Sequence, residues 1–206
     1  MSPLPPAGYP VRSTHVRFSG NVITVVSDEV AMPDGDTVVR DYVRHPGAVG
    51  VVALDRTDRV LLIRQYRHPV RRMLWELPAG LLDVAEESPL DTAKRELHEE
   101  GAIVADRWDL LADALTSPGS SDETMRLFLA REISAVPEAD RFAGTAEEFE
   151  LERHWVDLDE AAGWSLSGEI ENAMCQIGVL AASRAREMGW TPLRPPGSAW
   201  SARGIG

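Results

Sequence analysis

The sequence predicts an α+β fold, with a mixed sheet and a small N-terminal β annex, on three observations. Runs rich in β-branched residues recur between turn signals, and two stretches carry apolar residues at helical spacing. The two kinds of element also follow one another without a regular βαβ alternation. Such an order is met by an α+β arrangement or by an α/β/α sandwich.

In chain order, the first ten residues include four prolines, and Thr191 to Gly206 is rich in Pro, Gly and Ser, so both ends read as loose. Asn21 to Ser27, Thr37 to Val43, Ala48 to Leu54 and Val60 to Gln65 read as strands. The segment Met32-Pro33-Asp34-Gly35-Asp36 is expected to close the first pair as a hairpin, and Asp55 to Arg59 the second. Residues 1–45 form the annex, 46–190 the main domain and 191–206 a flexible tail. Beyond a helix around 88–100, strands are expected near Leu110 to Thr116, Met125 to Arg131 and Glu152 to Val156. Ile170, Ala173, Met174, Ile177, Leu180 and Ala181 recur at spacings of three and four, predicting one C-terminal helix to about Met188, with Gly189 as its stop.

A chain of 206 residues that is 44% hydrophobic and 26% charged is long enough to bury roughly 70% of its unfolded surface. No run reaches the roughly 18–20 apolar residues of a membrane span, and the start has neither a basic n-region nor an apolar h-region, so no membrane partner and a cytoplasmic location are expected. Cys175 is the single cysteine and sits among Ala173, Met174 and Ile177, which predicts a buried thiol. The net charge of −12 repels phosphate backbones, so no nucleic-acid partner is expected. A phosphate-bearing small molecule is compatible if cations neutralise the acid.

Chemistry concentrates in Gly80 to Ile103. Ser88 is a good N-cap, Pro89 fits the first helical position and Asp91 completes a short capping box. On the helical wheel Leu90, Ala93 and Leu97 form an apolar stripe, and Glu96, Glu99 and Glu100 share a neighbouring arc of about 100°. Glu96 and Glu100, at i and i+4, repel by about 0.2–0.5 kcal/mol and oppose the helix dipole. Something positive must compensate. A hard divalent cation, which takes a few carboxylates together with waters and substrate phosphates, would do so. Arg95, pairing with Glu87 or Glu99, is the internal alternative.

This stretch resembles the Nudix box, G-x5-E-x7-R-E-U-x-E-E-x-G-U with U a bulky aliphatic residue, through Gly80, Glu87, Arg95, Glu96, Leu97, Glu99, Glu100 and Ile103. Six residues rather than five separate Gly80 from Glu87, which reads as a loop insertion. Ala102 stands where the penultimate glycine belongs, and Gly101 is expected to supply the left-handed residue at the helix end. Gln65-Tyr66-Arg67-His68, Leu74 to Gly80 and Thr116 to Glu123 extend the resemblance to the ADP-ribose pyrophosphatase branch, over roughly residues 20 to 185.

The resemblance implies an α/β/α Nudix sandwich and metal-dependent hydrolysis of ADP-ribose to AMP and ribose 5-phosphate. It implies Mg²⁺ or Mn²⁺ held by Glu96, Glu99, Glu100 and the Ala79 carbonyl, with Glu87, Gly80 and Arg95 supporting. It also implies a base in the acidic segment before the last strand, Glu148 or else Glu147, with Glu99 and Arg95 in the catalytic set. Arg67 is expected to clamp phosphate, and Arg40, Arg44, Glu76, Pro118 and Ser120 to contact substrate, the first two across a homodimer. The five histidines show no zinc spacing. The remaining alternatives are hydrolysis of another nucleotide sugar such as GDP-mannose, and a non-catalytic ligand sensor.

Overall fold

A computed structural model describes residues 8–140 and 151–203. The chain divides into two compact units, Met1–Pro46 with Leu115–Glu123, and Gly47–Ala114 with Thr124–Gly206.

The first unit is a three-stranded antiparallel sheet of β1 (Val11–Ser19), β2 (Thr24–Ala31) and β3 (Thr37–Arg44), in that order. The β2–β3 hairpin forms at the expected turn: Met32 N–H donates to Asp36 O, Gly35 N–H to Met32 O, and Gly35 takes φ +93. Strand β1 is absent from the sequence reading. Eight of its nine residues are exposed, so no alternation of burial marks it. The segment between Thr116 and Glu123 joins β3 through Val43 N–H to Ser120 O and Asp122 N–H to Val43 O.

The second unit holds two sheets. One is ordered β10 (Glu152–Asp157), β5 (Arg59–Arg67), β6 (Arg72–Glu76). The other is β7 (Ala79–Leu81), β4 (Ala48–Ala53), β9 (Thr124–Ala135), β8 (Ile103–Leu115). Strand β4 runs parallel to β9 and antiparallel to β7. Its alternation explains the helical layers. Val49, Val51 and Ala53 pack in one cluster with Ala93 and Leu97 of α1 (Pro89–Glu99). Val52 and Leu127 pack in the other with Leu158 and Ala161 of α2 (Leu158–Ser167) and Cys175, Val179 and Ala182 of α3 (Ala173–Glu187). Strands covered on both faces read as continuous apolar runs, and the expected sandwich with a mixed sheet is what this unit adopts.

One expectation is corrected and one helix is added. The Asp55 to Arg59 turn forms, with Asp55 N–H donating to Arg59 O, but only the Leu54–Val60 bridge follows it. The two strands then enter different sheets, because β4 takes β9 and β7 as neighbours while β5 takes β10 and β6. The expected C-terminal helix is α3, and α2, which no apolar spacing had marked, precedes it. Gly168, at φ +89, ends α2, and the Asn172 side chain caps α3 by accepting from Cys175 N–H. Gly189 follows α3 at φ +63, where a stop was read.

The tail, expected to be loose, is anchored through its described residues. Leu110 N–H donates to Arg194 O, and buried Arg126 donates to Ser198 O and Ala199 O. The Arg126 guanidinium also lies 4.6 Å over the Trp200 ring and pairs with Asp113. Among the described residues no helix is long and apolar enough to cross a membrane.

Candidate active site

Helix α1 starts where Ser88 places it. The Ser88 Oγ accepts from Asp91 N–H at 3.2 Å and donates to the Asp91 carboxylate at 2.6 Å. Burying Ala93 and Leu97 then fixes the rotation of the helix and leaves Glu96, Glu99 and Glu100 on its flank.

Arg95 gathers the acids. Its Nε and Nη2 donate to the two oxygens of Glu87 at 3.0 and 3.1 Å, and its Nη1 to Glu96 at 2.7 Å and Glu99 at 3.2 Å. These bonds, the Glu87 pair first, hold Arg95 charged and draw the Glu87 carboxyl below its ordinary range. The loop insertion is resolved by the same contacts. Glu87 meets Arg95, and Glu86 takes φ +64, so the added residue is absorbed as a left-handed kink ahead of the helix.

Strand β7, which carries Ala79 and Gly80, docks on the acid flank. A Cβ on Gly80 would stand 2.0 Å from Glu96 Oε1, so only glycine lets that carboxylate lie there. The alternation of the β4–β7 ladder, with Val51 N–H bonded to Pro78 O, leaves the Ala79 N–H and C=O outside it. The Ala79 N–H donates to Glu100 Oε2 at 2.8 Å. Burial pushes the Glu100 carboxyl up to about 8. The Ala79 N–H and Arg67 oppose the rise, and Glu96 and Glu76 add to it.

The β10–β5–β6 sheet supplies the opposite wall. Leu61, Ile63, Gln65 and Arg67 alternate onto one face of β5, and Leu61 packs with Ala93 and Leu97 of α1. Glu76, opposite Ile63, is 2% exposed and takes the Arg67 fork on both oxygens, at 2.8 and 2.6 Å. Arg67 and Glu76, expected separately against substrate, are thus brought onto each other. Arg153, also opposite Ile63, donates to Glu100 O through Nε and to Glu99 O through Nη2. It places positive charge at the C-terminal end of α1, where the acids oppose the dipole. Sequence reasoning missed Arg153, since only the β5–β10 pairing brings it there.

The end of α1 corrects another expectation. The left-handed residue is Ala102, at φ +53, not Gly101. Gly101 serves close packing instead, because a Cβ there would meet Leu97 O at 2.5 Å.

The remaining expected residues belong to the first unit or fall outside the described residues. Arg40, Arg44, Pro118 and Ser120 belong to the first unit, where β3 and the Ser120 loop are hydrogen-bonded. There Arg44 donates to the Tyr42 hydroxyl, which donates to Asp28 at 3.1 Å. Glu147 and Glu148 lie outside the described residues. Cys175 is fully buried, which raises its thiol well above the ordinary value.

Among the described residues no three of His, Cys, Asp and Glu are assembled as a ready metal-ligand set. The donor chemistry nonetheless fits a hard divalent ion. Glu96 and Glu100 are oxygen donors on either side of the Gly80 cradle, Glu99 adjoins them, and the Ala79 carbonyl is free of the ladder. Such an ion needs few protein ligands because it keeps waters.

A NUDIX domain match covers residues 44–174. The chain belongs to the Nudix family. It is 42% identical over 193 residues to an ADP-ribose pyrophosphatase of Mycobacterium tuberculosis, covering 93% of this chain and 90% of the relative. It is 36% identical to the methanol dehydrogenase activator of Bacillus methanolicus, over 79% of this chain and 85% of that protein. In fold it matches the crystal structure of an ADP compounds hydrolase with TM-score 0.73 at 17% identity, over 89% of this chain and 97% of the other. The matched span contains every box residue and the Arg67–Glu76 pair.

Proposed function

We propose that this Nudix protein hydrolyses the pyrophosphate of ADP-ribose, giving AMP and ribose 5-phosphate, with Mg²⁺ or Mn²⁺ bound at the α1 acids. The observation that carries the reading is the docking of Ala79 and Gly80 of β7 on Glu96 and Glu100, which gathers hard oxygen donors. The choice of substrate is supported by the 42% identity to an ADP-ribose pyrophosphatase along nearly the whole chain.

Water supplies the nucleophile. Its oxygen bonds to one phosphorus as the bridging P–O bond breaks, its proton leaves to a base, and both products are phosphomonoesters. Glu96, Glu99, Glu100 and the Ala79 carbonyl would hold the cation, which screens the diphosphate and acidifies water. Arg95 and Glu87 orient those carboxylates. Arg67, held flat by Glu76, presents a guanidinium to phosphate oxygens. Glu148, with Glu147 beside it, is the assigned base.

Arg40, Arg44, Pro118 and Ser120 are assigned to the nucleotide, the arginines acting in a homodimer. Association of two copies is supported by Val11, Val16 and Phe18 of β1, each more than half exposed. Sedimentation of a stable monomer would remove the homodimer and the two arginines from the assignment.

The reading is tested by nucleotide release from ADP-ribose, GDP-mannose and NADH, with and without each cation. Cation-dependent preference for ADP-ribose is expected, and Glu148→Gln is expected to lose turnover while keeping cation binding. Preference for GDP-mannose, or ADP-ribose binding without turnover, would favour the nucleotide-sugar hydrolase or the sensor instead.

A further inference from the structure

One buried polar atom on the strand that carries Arg67 is without a partner among the described residues. Gln65 is 9% exposed, and its Oε1 has no hydrogen-bond donor among the described residues. Buried polar atoms without partners are rare, and leaving an acceptor unsatisfied costs stability. An apolar side chain of similar length would fill the position without that cost.

The placement of Gln65 is specific. It follows Ile63 and precedes Arg67 on the face of β5 that meets α1, with Leu74 opposite and Glu76 one step along. Glu76 occupies the Arg67 fork, and Arg153, on the other flank of Ile63, reaches the α1 carboxyl end. Gln65 thus stands next to the proposed phosphate arginine on the face of β5 whose Leu61 packs against the proposed cation helix.

We propose that Gln65 is a substrate-binding residue whose Oε1 accepts a hydrogen bond from a ribose hydroxyl of the bound nucleoside diphosphate. This rests on the ADP-ribose reading and deepens it. An amide oxygen only accepts, so it does not pair with phosphate oxygens, which are acceptors at neutral pH. The donors bonded nearest to a diphosphate are the hydroxyls of the flanking riboses. A site built to receive a hydroxyl discriminates against analogues lacking it far better than a merely apolar pocket does.

The test replaces the amide by an apolar chain of similar length, Gln65→Met, and follows steady-state hydrolysis of ADP-ribose at saturating Mg²⁺ together with the thermal midpoint. KM is expected to rise about tenfold or more with kcat little changed and the midpoint unchanged or higher, the signature of lost ground-state binding. KM within about twofold of wild type, with a raised midpoint, would mark a buried amide with no substrate role and overturn the inference. A fall in kcat that added Mg²⁺ repairs would assign the amide to the cation and equally overturn it.

A second measurement needs no variant. Wild-type protein is offered ADP-ribose analogues lacking one hydroxyl on the adenosine ribose or on the terminal ribose. At least one is expected to lose about tenfold or more in kcat/KM, and the side on which it lies identifies the ribose. Equal treatment of all of them sinks the proposal. A wild-type protein that leaves ADP-ribose intact removes the parent reading and this inference with it, whereas turnover that is indifferent to Gln65 removes only the inference.

Discussion

Gly80 and Glu96 share a space that admits only one of their side chains: a Cβ on Gly80 would fall 2.0 Å from Glu96 Oε1 and 2.5 Å from its Cγ. The glycine has no positive φ to justify it, so its value lies in that approach. Gly80→Ala is expected to displace the Glu96 carboxylate and lower kcat/KM by ~10–100-fold, as when a supporting contact of a metal ligand is lost. Gly163→Ala, on open helix surface, is the control and leaves activity intact. Parallel kinetics and circular dichroism of the two variants check this.

Ala102 holds a left-handed conformation at the end of α1 that costs an L-residue ~1–2 kcal/mol. Ala102→Gly relieves this while loosening the unfolded chain, so a net gain of ~0.5–1 kcal/mol is expected. Gly101→Ala is expected to destabilise, because its Cβ meets the Leu97 carbonyl oxygen at 2.5 Å. Urea unfolding of both variants reads the opposite signs.

Asp55 organises the turn between β4 and β5 by accepting from Thr57 N–H, Thr57 Oγ1, Arg59 N–H and Arg59 Nε. Burial acts to raise its carboxyl, but these donors win and bring it down to about 2. The folded chain then binds fewer protons than the unfolded one. The stabilisation is present above the ordinary carboxyl range and lost as pH falls through about 2. Asp55→Asn is expected to cost ~2 kcal/mol at pH 7 and to flatten the acid limb of stability, measured by denaturant melts between pH 7 and pH 2.

Glu100 has the opposite sign. Its folded carboxyl lies near 8, so without a cation its contribution is fully present at acid pH and lost as pH rises through about 8. The thermal midpoint of cation-free protein is expected to fall between pH 6 and pH 9, and Glu100→Gln to flatten that slope. Mg²⁺ binding at pH 7 should release about one proton, read by calorimetry in two buffers of different ionisation enthalpy. Absence of proton release would show Glu100 already ionised in the cation-free protein.

The parts of this architecture that are locally encoded are legible in the sequence. Ser88, Pro89 and Asp91 announce α1, and the Leu90, Ala93, Leu97 stripe fixes which flank carries the acids. The β2–β3 turn and the buried runs of β4 and β5 are equally local. What escaped depends on distant partners or on unpatterned surface. Strand β1 is exposed on both faces. The choice of β9 over β5 as neighbour of β4 rests on pairing 70 or more residues away, as between Ala53 and Ala130. Arg153 reaches α1 only through β10, and Arg126 holds the tail only because Ser198 and Ala199 return to β9. The pairing of Glu76 with Arg67 is likewise invisible within one strand, because it joins β5 to β6.

The most direct measurement is product analysis of ADP-ribose incubated with wild type, Glu96→Gln and Glu100→Gln, with Mg²⁺, with Mn²⁺ and with chelator. AMP and ribose 5-phosphate in equal amounts, only with a divalent cation and reduced about 100-fold or more in each variant while the fold is retained, is the expected result. Release that persists in chelator, or that is unchanged in both variants, would contradict the assignment of the α1 acids and the Ala79–Gly80 segment of β7 as the reactive centre.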